Sequence, residues 1–168
     1  KDSIHHDSIE ELKQMTTQEV ILVKPEFAPD IWFRVRPLIE KALDHSRGEL
    51  HSSDILRTIL NEKDHLWVGL EDGDIKAALV TTTINYPRMR ILRIVIWAVD
   101  QESDFDTWIK HLHKIEDFAR SVECSHLEAW ARKGLTRKLD WNHDYALISK
   151  IIKPKQQRKR RRRTKSNG

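Results

Sequence analysis

The stretch from Leu66 to Val99, LWVGLEDGDIKAALVTTTINYPRMRILRIVIWAV, decides the fold. Leu66 to Leu70 is a short apolar run. The Glu71-Asp72-Gly73-Asp74 that follows carries an Asp-Gly step, which favours a tight hairpin because such turns need positive φ at their centre. Ile75 to Ile84 returns as a second strand rich in Val and Thr, and Asn85-Tyr86-Pro87-Arg88 makes the next turn. Met89 to Val99 is then a third strand, the most continuously apolar in the chain, and such a run implies cover on both faces. Three antiparallel strands therefore occupy the middle of the protein.

Working outward, Val20 to Val23 ends at Pro25 and predicts a first strand of about six residues. Beyond it Ile31, Val35, Leu38, Ile39 and Ala42 recur at helical spacing, with Pro37 as a point where the helix kinks or restarts. Ser52 or Ser53 caps a second helix that turns Ile55, Leu56, Ile59 and Leu60 inward. After the third strand, Ser103 or Asp104 opens a long helix whose stripe is Phe105, Trp108, Ile109, Leu112, Ile115, Ala119 and Val122. Leu127 to Ala131 reads as a short strand, Gly134 to Leu139 as a short helix, and Tyr145 to Ile152 as a final strand running into Pro154. Residues 1–16 read as a loose leader, residues 17–153 as one domain and residues 154–168 as a charged tail that is disordered when free. The opening Lys1 in place of Met suggests a processed or trimmed product.

Charge is split unevenly. The 168 residues carry a formal charge of +4, yet Lys153 to Gly168 holds nine of the 30 Lys and Arg and no acid, which leaves 21 basic against 26 acidic residues before it. A single cysteine, Cys124, excludes an intrachain disulfide or a multi-cysteine zinc site and fits a reducing compartment. The longest apolar run, Ile94 to Val99, is far short of the roughly 20 residues that span a bilayer, so the expectation is a soluble intracellular protein without a membrane span, in the cytoplasm of its host cell.

The element order resembles that of the GNAT superfamily of N-acetyltransferases across residues 17–152. Leu66 to Ala78 looks like that family's second and third strands around an acidic hairpin, and Leu135-Thr136-Arg137-Lys138-Leu139-Asp140-Trp141 looks like its closing L-Y-E-K-L-G-F segment. The resemblance implies an α/β (α+β) fold, a mixed and mainly antiparallel sheet flanked by helices. It also implies an acyl-CoA groove between the strand ending at Val99 and the strand holding Leu127 to Ala131, with Ala98, Val99 and Trp130 as the residues that would meet the cofactor. Compact members with eroded motifs occur among bacteriophage proteins, and this chain is similar to them in size.

The family holds the coenzyme pyrophosphate with an R/Q-x-x-G-x-G/A motif, because a helix start offers free N–H donors and glycines let phosphate approach. At that place this chain has Asp100-Gln101-Glu102-Ser103-Asp104-Phe105-Asp106, with no glycine, no Arg or Lys, and four carboxylates in seven positions. Thr136 stands where many members have the tyrosine that protonates the leaving thiolate, which leaves Tyr145 as the nearby phenol, and Glu128 is the carboxylate that could act as general base through a water. Asp140 replaces the glycine of the L-G-F ending. His111 and His113 are two positions apart and cannot share a metal on one helix face; both are expected to face solvent, and Cys124 is expected to be inert.

The densest signal is the tail, where Arg158, Lys159, Arg160, Arg161, Arg162, Arg163 and Lys165 lie within eight positions. Guanidinium groups pair with phosphate and release counterions, giving salt-dependent binding that does not read sequence. Nucleic acid is the first partner this implies, and a nuclear-import signal or an acidic protein would be met by the same residues. Two functions follow: a GNAT-like module with an eroded acyl-CoA site whose tail contacts DNA or RNA, or an active N-acetyltransferase using acetyl-CoA with an atypical grip. A subunit that meets a protein partner through its first two helices is a third.

Overall fold

At the Asp72-Gly73 step the backbone turns through φ values of 50° and 86°, the double left-handed geometry that an Asp-Gly hairpin requires. The hairpin sits in a computed structural model that describes residues 17–131 and 133–155. It joins β2 (Asp64–Glu71) to β3 (Asp74–Tyr86), and β3 turns again into β4 (Met89–Val99). β1 (Gln18–Val23) pairs antiparallel with β2, and β5 (His126–Ala129) pairs parallel with β4, so the sheet runs β1-β2-β3-β4-β5.

Each sheet face carries its own core. On one side α1 (Ala28–Leu43) and α2 (Ser52–Leu60) press Val35, Leu38, Ile39, Ile55 and Ile59 onto Leu66, Val68, Ala78, Val80, Ile96 and Ala98. On the other, Trp67, Leu79, Leu92 and Ile94 meet Leu112, Ile115 and Ala119. Full burial of an Ile or Leu contributes roughly 1.5–3 kcal/mol, which is why the two helical stripes and the strand alternation dominate the fold. α1 runs unbroken through Pro37, so the helix does not restart there. α2 starts one residue earlier than a serine cap would place it: its N-cap is His51, whose backbone N–H donates to Asp54 Oδ2 at 3.0 Å.

Three expectations are corrected. The single long helix is two, α3 (Phe105–Ile109) and α4 (Leu112–Ser121). The His111 N–H bonds Trp108 O at 3.0 Å, a tightened turn that breaks the ladder while leaving the Trp108, Leu112, Ile115, Ala119 stripe on the sheet. His111 does not face solvent but is partly covered, with its Nε2 at 3.2 Å from Gln18 Oε1. The final strand is absent: after α5 (Lys133–Leu139) only Trp141 packs on the core, and residues 142–155 are exposed without a ladder. Asp140 nevertheless takes φ 53°, so an aspartate holds the left-handed position that the family's glycine would occupy.

One buried polar group ties the sheet together among the described residues. Thr81 is fully buried; its Oγ1 accepts from Trp67 Nε1 at 3.1 Å and lies 3.1 Å from His65 Nδ1. Burial pushes the His65 imidazole below the ordinary 6.5, and burial next to Lys110, His113 and Lys114 does the same to His111. In both cases the unfolded chain binds a proton more readily than the folded one, so stability is fully present above 6.5 and falls as pH drops through that value. Thermal unfolding at about pH 5.5 is expected at a lower temperature than at about pH 7.5, and His65→Gln reduces the difference.

Candidate functional site

β5 matches β4 for only four residues, from Ile91↔His126 to Ile94↔Ala129, while β4 continues to Val99. The divergence begins at a bulge: Val80 pairs with Ile96 and Thr81 with Ile94, leaving Val95 as an extra residue in β4. The bulge also switches faces, since Leu92 and Ile94 belong to the α4 core whereas Ile96 and Ala98 belong to the α1–α2 core. Past Ile94 the β5 side of β4 has no strand partner among the described residues, which leaves a gap in the ladder between Val95–Val99 and the residues that follow β5 from Trp130.

Strand alternation shows which main-chain groups look into that gap. The Asp100 N–H donates to Lys76 O at 2.8 Å, so the hydrogen-bonding positions 100, 98 and 96 are directed at β3 and positions 99 and 97 at the open side. Val99 and Trp97 thus present their amides and carbonyls to the gap. Ala98 points its backbone at β3 and buries its methyl in the core. Trp130 is 65% exposed at the opposite wall, with the Arg93 guanidinium 4.5 Å from its ring centroid. Arg93 in turn bonds Glu128 Oε1 at 2.6 Å, and the pair is cross-strand in register. Glu128 is therefore one arm of a half-buried ion pair at the base of the gap, with Oε1 engaged. Tyr145 lies on the segment after α5 and is 91% exposed, so no packing positions its phenol.

The corner after β4 is built by its own acids. The Asp100 carboxylate accepts from the Glu102 N–H at 2.9 Å and its carbonyl from the Ser103 N–H at 3.0 Å; Asp104 caps α3 by accepting from the Asp106 N–H at 3.0 Å. Ser103 Oγ bridges Glu71 Oε2 at 2.8 Å and Trp108 Nε1 at 2.9 Å, locking the corner to β2. Two of the four acids meet lysines from elsewhere: Glu102 meets Lys76 at 3.5 Å and Asp106 meets Lys138 at 2.8 Å. Lys138 also sits 5.6 Å from the Phe105 ring, which stacks at a tilt on Trp97 at 4.7 Å, so α5 is latched across α3 at the mouth of the gap.

Two other concavities are present. A small cavity of about 30 Å³ lies beside Gly69, Trp97, Trp108 and His111 and has room for little more than a water. An open groove of about 480 Å³ runs between α1 and α2 past Trp32, Arg36, Glu40, His51 and Leu56. There the Arg36 hydrogen bond, with help from Ser52, holds the Glu40 carboxyl below its usual 4.5. No group of three metal-ligating side chains converges among the described residues, and burial raises the Cys124 thiol above its ordinary 9.0. Arg158, Lys159, Arg160, Arg161, Arg162, Arg163 and Lys165 lie outside the described residues.

Comparison with solved structures places this bulged, splayed sheet. An aminoglycoside acetyltransferase from an uncultured soil metagenomic sample superposes with a TM-score of 0.63 at 13% identity, covering 82% of this chain and 97% of that one. The fold is that of the GNAT acetyltransferases. A GNAT family acetyltransferase from Staphylococcus aureus (TM-score 0.59, 10% identity, 81% and 99% covered) has the same GNAT architecture. So does the ribosomal-protein-alanine N-acetyltransferase of Brucella melitensis (TM-score 0.59, 12% identity, 83% and 100% covered). No family model and no curated protein matches the sequence. No helix among the described residues is long and apolar enough to cross a membrane.

The sequence reading missed the Arg93–Glu128 pair, the Lys138–Asp106 latch and the Ser103 bridge. All three join residues at least 32 positions apart, and only the Asp104 cap carried a local signal.

Proposed function

We propose that this GNAT-fold domain is a binding module that does not hold acyl-CoA in its family's manner, and that its Arg/Lys-rich tail brings it to nucleic acid. The observation that carries the first half is the use of the Glu102, Ser103 and Asp106 amides by Asp100 and Asp104. A pyrophosphate would have to displace the Asp100 and Asp104 carboxylates from the Glu102 and Asp106 amides and the Asp100 carbonyl from the Ser103 amide, beside negative charge, with no glycine to let it approach. The residues at this corner do not fit the coenzyme's diphosphate. The charge split along the sequence carries the second half.

One observation favours the other reading, an N-acetyltransferase with an atypical grip: the open-side main-chain groups of Trp97 and Val99 are suited to hydrogen-bonding an extended ligand laid along β4. Amine attack on a thioester needs chiefly positioning, which such a groove supplies. Thermal unfolding with saturating acetyl-CoA separates the two. The binding-module reading expects no change in Tm, whereas a rise of several degrees would place the coenzyme in the folded state and overturn it.

A further inference from the structure

Residues Asp144 to Pro154, DYALISKIIKP, fit two periodicities. As a strand the segment is apolar on both faces, and the structure gives it neither a ladder nor cover. Its five large apolar side chains, Tyr145, Leu147, Ile148, Ile151 and Ile152, are all exposed, Ile148 at 89% and Ile151 at 87%. Single exposed leucines are ordinary, whereas five such side chains within one short segment mark a surface that meets something.

At about 100° per residue the same side chains sort cleanly. Leu147, Ile151, Ile148, Ile152 and Tyr145, in that order round the axis, fall within an arc of about 160°, and Ser149, Lys153, Ala146 and Lys150 fill the remainder. Both ends of such a helix are marked. Asp144 is a favoured N-cap residue, Lys150 and Lys153 stand in the last turn, and Pro154 follows as a stop. A helix from Tyr145 to Lys153 is too short to persist in water by itself, which accounts for its absence where nothing covers the segment.

Charge decides what the cover is. From Tyr145 to Gly168 the chain carries ten Lys and Arg and no Asp or Glu. An apolar groove on a protein would take the five apolar side chains and offer the lysines beside them nothing. Duplex nucleic acid would take the cations and leave the apolar face in water. An anionic bilayer meets both, with hydrocarbon below its headgroups and negative charge at them.

We infer that residues 144–153 are an interfacial anchor that folds into a helix lying in the plane of an anionic lipid bilayer. Tyr145, Leu147, Ile148, Ile151 and Ile152 enter the acyl boundary, and Lys150, Lys153 and Lys155 stay among the headgroups. Folding is obligatory there, because hydrocarbon leaves an open backbone without hydrogen-bond partners. Each basic residue near such a surface strengthens binding about fivefold, so these three lysines contribute about 100-fold and the arginines beyond them add to it. The apolar face carries the inference, and it goes beyond the tail's proposed use on nucleic acid.

The test mixes the full chain with phosphatidylcholine vesicles, either pure or containing about 30% phosphatidylserine. Co-sedimentation is expected to show binding to the mixed vesicles at least about tenfold tighter than to the pure ones, with amide exchange slowed at residues 145–153 only when mixed vesicles are present. The double variant Ile148→Ser, Ile151→Ser keeps every charge and interrupts the apolar face. It is expected to bind mixed vesicles at least about tenfold more weakly, with unchanged near-ultraviolet circular dichroism and unchanged affinity for duplex DNA, because neither side chain packs in the body or carries charge. Equal vesicle binding by this variant would mean that the basic residues act alone. Slow exchange at residues 145–153 before vesicles are added would mean that the body or a second copy covers the segment, and slowing by duplex DNA in place of vesicles would assign it to nucleic acid. Each of these results, like failure of the full chain to bind mixed vesicles, overturns the inference. DNA affinity is read on the same proteins, so the anchor can fail while the tail's use on nucleic acid stands.

Discussion

Trp108→Ala is expected to lower the unfolding free energy by about 3–5 kcal/mol, the usual cost of emptying a buried indole site. Trp108 is 3% exposed, donates to Ser103 Oγ and fills the space above Gly69. A Cβ added at Gly69 would stand 2.5 Å from Trp108 Cζ3 and 2.8 Å from the Ala77 Cβ, inside any real contact distance. Gly69→Val is therefore expected to cost about 1–3 kcal/mol by overpacking, through sterics alone, because Gly69 is not at positive φ. The two changes act on one volume. Combined, they should destabilise by at least about 1 kcal/mol less than their sum, since valine then occupies part of the space the indole leaves while the Ala77 contact persists. Urea unfolding of the four proteins measures the coupling. Strict additivity would mean that Trp108 moves away from Gly69 without cost and that the close approach is not what pins α3 to β2.

The elements that the sequence disclosed are those whose cause is local. Period-two alternation and an Asp-Gly step are properties of neighbouring residues, so β2, β3 and β4 lie close to where their residues place them, and the stripe from Trp108 to Ala119 is buried as its spacing requires. The Val95 bulge is different. It depends on how β4 is matched to β3, and nothing in Arg-Ile-Val-Ile-Trp marks which residue is extra. The break at Lys110 and His111 was hidden for the opposite reason: a tightened turn barely disturbs the stripe, so periodicity passes through it. The candidate site was readable where it is contiguous. The acids from Asp100 to Asp106 are visible in the chain, but that two of them meet Lys76 and Lys138 is a fact of packing, and these lysines soften the negative collar that composition alone implies. Tyr145 to Ile152 failed as a strand within the chain because propensity names a conformation and not a partner.

Removing Gln156 to Gly168 is expected to reduce affinity for duplex DNA by a factor of about 100 or more at about 50 mM salt, because it deletes seven cationic side chains that can each displace a condensed counterion. What remains has 23 Lys and Arg against 26 Asp and Glu, so the truncated protein has no net attraction to phosphate. If about five of the seven cations meet phosphates at once, the logarithm of the binding constant for the full chain should fall with a slope near −4.5 against the logarithm of salt concentration. The truncated chain should show a slope near zero. The tail has no aromatic residue among its arginines, so base stacking adds nothing, and two duplexes of equal length and unrelated sequence should bind within about threefold of each other. Fluorescence anisotropy on both proteins reads all three quantities. Equal affinity of full and truncated chains at low salt would remove nucleic acid from the tail's function. A slope near −1 would mean that most of its arginines are engaged elsewhere, with the acidic body, four carboxylates of which cluster between Asp100 and Asp106, as the nearest competitor for them.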